Sequence, residues 1–226
     1  AGRQPAARRN ANAAAPRHPR HHPIRGCPTS AGAAEIVHGG QTENPSAAEI
    51  ADAIRRTASD VVVVLPNNSN IVLAARQAAA LVHGRVVVVP TRNAAEGIAA
   101  LLAWDPSLTI DGLVAKFEAA RGAARTFRIV EAVRDATVRG VSVAAGETMA
   151  IDAVDGIIAT GPDDVTVLAR ALANESAELI TLYVGAAVDD VASVHLVAAA
   201  RGAVSGAEVE LQRGGQPIER VLVSLE

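Results

Sequence analysis

Two uninterrupted aliphatic runs, residues 61–65 (VVVVL) and 86–89 (VVVV), stand out from an otherwise alanine-rich pattern. Continuous β-branched runs of this length mark strands covered on both faces. Between them Ile71, Ala74, Ala75 and Ala78 recur at helical spacing, and a further helix is predicted over 94–103. The loops at 66–70 (PNNSN) and 90–93 (PTRN) each carry the chain from a strand into a helix. The unit reads as strand, helix, parallel strand, helix, with a right-handed crossover expected. Ahead of it, Ser46 and Glu49 form a capping box behind Pro45, followed by Ile50, Ala53 and Ile54 on one helical face.

A helix over about 108–121 turns Ile110, Leu113, Val114 and Phe117 inward, with Gly122 as its expected stop. The period then changes to two. Phe127, Ile129, Val133, Val138, Val141, Val143, Met149 and Ile151 are punctuated by Arg139-Gly140, Ala145-Gly146 and Asp155-Gly156, which predicts an antiparallel meander. A helix at 162–173, a strand at 178–184, a helix at 189–201 and strands near 209–211 and 221–225 follow. No repeat of solenoid length is present. The pattern predicts an α/β protein of two lobes, a βαβα parallel-sheet lobe followed by a lobe of antiparallel strands and helices.

Residues 1–34 break this texture. They hold five prolines, six arginines, His18, His21 and His22, and no acid. Such a stretch buries too little apolar surface to offset its ordering, so a disordered leader is expected. It lacks a secretory h-region, and a start other than Met is consistent with a fragment or a misplaced start. The stretch 35–57 reads as the end of a preceding domain with one helix, and 58–226 as the main domain. The body is acidic: 15 basic side chains remain after the leader's six are taken from 21, against 24 acids, a balance of −9. That balance argues against nucleic acid as a partner, and the leader has no aromatics for base stacking. No apolar run reaches the roughly 18–20 residues of a membrane span. Cys27 is the single cysteine, which excludes an internal disulfide and suits a reducing compartment.

Candidate chemistry concentrates at the strand ends, where open parallel sheets place their ligands. Asn67, Asn68, Asn70, Thr91 and Arg92 there form either a polar pocket or contact surface, or a set of caps and turns. Arg134-Asp135, opening the turn after a strand, reads as an anion site or as an internal ion pair. Asp163-Asp164 and Asp189-Asp190 have the composition of magnesium ligands, but each pair sits at a predicted helix start, where acids cap and complement the dipole. Gly39-Gly40-Gln41 and Gly214-Gly215-Gln216-Pro217 read as tight turns. The only lysine, Lys116, lies outside any phosphate-loop motif, and no GxSxG, HExxH, CxxC or GxGxxG is present.

In order along the chain, GGQTENPSAAEI (39–50), LPNNSNIVLAARQAA (65–79), VVVVPTRNAAEGIAALLAWDP (86–106), VRDATVRGVSVAAGE (133–147) and GGQPIERVLVSLE (214–226) resemble the C-terminal region of the bacterial fatty acid kinase A subunit. That family is related to dihydroxyacetone kinases. The resemblance covers about 35–226, with Glu43, Ala47 and Trp104 departing from the usual Met, Thr and Phe. It implies a DegV-like fold and a cytoplasmic protein that engages a fatty-acid-binding partner subunit, with homodimerisation left open. It also implies that ATP and magnesium belong to a separate N-terminal helical domain, so no cofactor is expected on this chain. Three functions follow as expectations. The first is a non-catalytic scaffold that docks an acyl-binding subunit for acyl phosphate formation. The second is a component of an active fatty acid or dihydroxyacetone-type kinase once the ATP domain is supplied. The third, resting only on the polar loops, is a small-molecule binder.

Overall fold

Ser46 opens the first helix, α1 (Ala47–Arg56), through the predicted capping box: its hydroxyl accepts from the Glu49 amide at 3.2 Å, and Glu49 Oε2 accepts from the Ser46 amide at 2.8 Å. The computed structural model describes residues 33–37, 39 and 44–226. The leader, apart from its last two residues, lies outside the described residues, as does the turn at 40–41. Strands β1 (Val61–Val64) and β2 (Arg85–Val88) pair in parallel with Val62 opposite Val86, joined through α2 (Val72–Ala80). Alternation then divides the valines between two faces. Val62, Val64, Val86 and Val88 pack with Ile50, Ala51 and Ile54 of α1 and Ala75 and Ala78 of α2. Val63, Leu65 and Val89 pack with Ala100 of α3 (Ala94–Leu102) and with Leu113 and Phe117 of α4 (Ile110–Ala123). Helices therefore cover both faces, as the valine runs predict. The strands are nonetheless only half-buried, because the sheet is two strands wide and each has an open edge.

Gly122 does not stop α4. The helix runs through it to Ala123 and ends where Ala124 turns extended to enter the next strand. The second lobe contains β3 (Arg125–Glu131), β4 (Ala136–Val138), β5 (Val141–Val143), β6 (Thr148–Asp152), β7 (Gly156–Gly161), α5 (Asp164–Leu172), β8 (Leu179–Val184), α6 (Asp190–Ala203), β9 (Glu208–Arg213) and β10 (Val221–Leu225). Six strands form one sheet in the order β7-β6-β3-β10-β8-β9, antiparallel except for β8 with β9. Val167, Leu168 and Leu172 of α5 and Leu196 and Ala200 of α6 pack on Phe127, Ile129, Ile180, Leu182, Val221 and Val223. Each fully buried Leu, Ile or Val contributes roughly 1.5–3 kcal/mol.

The predicted meander is only partly realised. β3, β6 and β7 follow one another, but β4 and β5 leave the sheet as a separate hairpin packed over Met149, Ile151 and Ile157. The last strand, β10, inserts between β3 and β8. Val133, placed by periodicity on a strand, is 94% exposed in the loop after β3, since an alternating pattern continues by chance where the chain has already turned.

Candidate functional site

Parallel pairing sends the carboxyl ends of β1 and β2 to one rim, so the two polar loops meet there. Thr91 is buried, and its hydroxyl accepts from the Asn67 amide at 2.9 Å while donating to Asn67 Oδ1 at 2.8 Å. Asn67 holds a φ of +56°, a left-handed conformation that Asn adopts more readily than most residues. Its side chain lies against Gly97, where a Cβ would stand 2.1 Å from Asn67 Oδ1. Asn68 Oδ1 accepts from the Asn70 amide at 2.9 Å, a local turn, and α2 starts without a side-chain cap. Asn67 and Thr91 thus tie the loops together, and neither caps a helix.

Arg92 grips a residue that the motifs do not mark. Glu96 is fully buried and accepts from Arg92 Nε at 2.7 Å and from the Arg92 amide at 2.8 Å, with Arg121 Nη1 at 4.0 Å. Asn93 caps α3 by accepting from the Glu96 amide at 3.0 Å, while its Nδ2 donates to Thr126 Oγ1 of β3 at 2.7 Å and joins the lobes. The three-residue spacing from Asn93 to Glu96 is a capping-box signature, the signal that would have found this acid. Gly97 and Arg121 carry no comparable sequence mark. The rim's buried polar groups satisfy one another, and none of these bonds pairs a nucleophile with a base. Asn68, Asn70 and Arg92 are left to offer hydrogen bonds outward.

Arg134 and Asp135 are not part of this rim. Thr126, which meets Asn93, and Glu131, which precedes their loop, stand at opposite ends of β3, about 17 Å apart at the usual strand rise. Both residues are exposed, and no ion pair joins them among the described residues. Asp135 instead accepts from the Ala145 amide at 2.8 Å, because the β4–β5 hairpin brings that amide closer than the neighbouring guanidinium.

The paired aspartates serve helix starts. Asp163 accepts from the Thr166 amide at 2.7 Å and Asp189 from the Ala192 amide at 2.7 Å. Asp164 takes Arg220 Nε on both oxygens, at 2.7 and 2.8 Å, a contact that raises the pKa of the guanidinium, and Asp190 pairs with Arg213. Lys116 pairs with Asp105 at 3.3 Å. Among the described residues no three His, Cys, Asp or Glu side chains converge on a metal position. The four aspartates are thus engaged by helix starts and arginines, and the lysine by Asp105.

The Asp163 carboxyl is held below the usual aspartate range, first by the Thr166 amide and then by the Thr166 hydroxyl. A depressed folded pKa means that its capping contribution is present at neutral pH and is lost as pH falls through that lowered value. Asp163→Asn keeps an N-cap oxygen but removes the titration. Denaturant melts at neutral and acidic pH should therefore differ less in the variant than in the parent, and an unchanged difference would refute the assignment.

The model of the FakA-like C-terminal family, the C-terminal part of proteins like the fatty acid kinase A subunit, matches residues 22–226. This chain belongs to that family. The match includes residues 22–34, so the similarity starts earlier than the motifs at 39–50 suggest. A protein of Staphylococcus haemolyticus (strain JCSC1435) is 37% identical over 202 residues, covering 88% of this FakA-like chain and 36% of the relative. Protein YloV of Bacillus subtilis (strain 168) is 33% identical over 201 residues, 87% of this chain and 36% of YloV. The chain thus spans about a third of the length of these relatives. Its fold is DegV-like. DegV family protein Cg2579 from Corynebacterium glutamicum superposes with a TM-score of 0.59 at 16% identity, over 80% of this chain and 82% of the other. The Streptococcus pneumoniae fatty acid kinase (Fak) B3 protein, solved loaded with linoleic acid, gives 0.59 at 11% identity, over 80% and 76%. Among the described residues of this FakA-like chain no helix is long and apolar enough to cross a membrane.

Proposed function

We propose that this chain is the non-catalytic, partner-docking region of a fatty-acid-kinase A-subunit-like protein, holding an acyl-binding subunit in place for acyl phosphate formation. The observation that carries the reading is the family match over residues 22–226. The rim supports it: buried Thr91 and Glu96 are bonded to Asn67 and Arg92, while outward amides and a guanidinium remain for a partner. ATP and magnesium belong in this reading to another domain, and the protein is cytoplasmic. A second reading, a component of an active fatty acid or dihydroxyacetone-type kinase, is favoured by the share of its relatives' length that this chain leaves unmatched.

Two titrations test the proposal. MgATP added to the chain should give neither binding heat nor turnover, whereas a fatty-acid-loaded DegV-family protein should bind saturably. MgATP turnover abolished by a substitution in this chain would favour the second reading. A folded chain that binds no acyl-loaded protein would overturn the first.

A further inference from the structure

A groove of about 320 Å³ opens beyond the carboxyl ends of β3 and β7, between the start of α5 and the middle of α6. The Asp164–Arg220 pair lines it, with Glu131, Asp163, Thr148 and His195 around it. Thr148 is only 6% exposed, yet its hydroxyl makes no hydrogen bond among the described residues. The fully buried side-chain oxygen left without a partner among the described residues is Ser224 Oγ, so the Thr148 hydroxyl keeps contact with the groove.

The charges decide what kind of partner. Three carboxylates face one guanidinium, with His195 the other titratable group. Asp163 is committed to the α5 cap, and Asp164 neutralises Arg220. The helix start and the arginine are therefore already balanced by acids. The Glu131 carboxylate, although it too acts electrostatically on Arg220, and the Thr148 hydroxyl make no hydrogen bond among the described residues and remain as acceptors in a groove of net negative charge, which repels an anion and favours a cationic donor. Three metal ligands do not converge there among the described residues. Val165 and Ala192 supply an apolar wall on one side of it.

We infer that this groove is a docking site for a lysine or arginine side chain presented by a protein partner, its alkyl stem resting on Val165 and Ala192. Identifying that partner as the acyl-binding subunit rests on the proposed function above. The ammonium or guanidinium donates to Glu131 and Thr148, and the alkyl stem lies along that wall, as long basic side chains do on apolar surface.

The probe is the peptide N-acetyl-Leu-Lys-Leu-amide, titrated into the isotopically labelled chain, with norleucine in place of lysine as control. Saturable shifts of the Thr148, Val165 and Ala192 amides are expected, at least about tenfold weaker for the norleucine peptide and for the Glu131→Gln chain, a factor equivalent to about 1.4 kcal/mol. Thr148→Val, close to isosteric, should weaken lysine binding without altering the fold. Equal shifts from both peptides, or none from either, would overturn the groove. Titration of the acyl-loaded DegV-family protein separates the two claims: loss of affinity in Glu131→Gln supports the groove as part of the docking surface, and parent-like affinity in that variant rejects it. A parent chain that binds the lysine peptide but not the acyl-loaded protein retains the groove and rejects the proposed function.

Discussion

Gly185→Ala should destabilise the protein by about 3 kcal/mol or more, the upper range for forcing atoms into a packed site. Gly185 follows β8 and is buried, and its amide donates to Arg220 O at 2.8 Å. A Cβ there would stand 2.2 Å from Glu219 O and 2.8 Å from Gln216 O, both backbone atoms with no rotamer to retreat into. The opposing segment has little slack. The Gly214 and Gly215 amides bond Val184 O at 2.9 and 3.1 Å, the Ala186 amide bonds Gln216 O at 3.0 Å, and Gln216 Nε2 bonds Tyr183 O at 2.7 Å. Room for a methyl group requires moving residues 216–220, which draws Arg220 away from Asp164. Urea denaturation should show a lower midpoint with little change in slope. A loss below about 1 kcal/mol would show that this turn is softer than its hydrogen bonding implies.

The second large effect is expected at Glu96. Removing one member of a buried ion pair costs about 3–5 kcal/mol, because the partner's charge stays behind. Arg92 is 37% exposed along its side chain and can regain water, so Glu96→Ala belongs at the lower end, about 3 kcal/mol. Glu96→Gln keeps the shape and one acceptor oxygen, and should cost about half as much. Equal stability of the alanine variant and the parent would mean that Arg92 and Arg121 do not depend on this carboxylate.

Where neighbouring residues dictate structure, the sequence was a good guide. The capping box at Ser46, the valine strands and the helix starts at Asp163 and Asp189 follow from spacing within a few turns of chain, and the meeting of Asn67 with Thr91, 24 residues apart, follows from the parallel pairing of the valine strands. The placement of β10 between β3 and β8 does not, because strand partnership at that separation is chosen by the whole sheet. Val133 failed for a related reason, since alternation cannot tell a strand from the loop that continues it. Glu96 was missed because a charged residue inside a helix reads as solvated unless its arginines are known to face it. Arg134 and Asp135 read as an anion site or an ion pair because they open the turn after a strand, whereas side chains of neighbouring residues often diverge and here Asp135 turns to the Ala145 amide. The groove is illegible in the sequence: Glu131, Thr148, Asp164, His195 and Arg220 come from separate elements, with nothing in their spacing to unite them.

The central position of β10 bears on how the protein is made. Its five residues pair on one side with β3 and on the other with β8, and every one of them is buried. Synthesis delivers this strand after all its neighbours. Until then β7-β6-β3 and β8-β9 are separate ribbons with unpaired edges, the kind of surface that recruits other strands. The parallel β1–β2 lobe has all its strands and helices long before. A nascent chain therefore carries a finished first lobe beside an unjoined second one until this strand emerges, and its pairing turns two open ribbons into one continuous sheet.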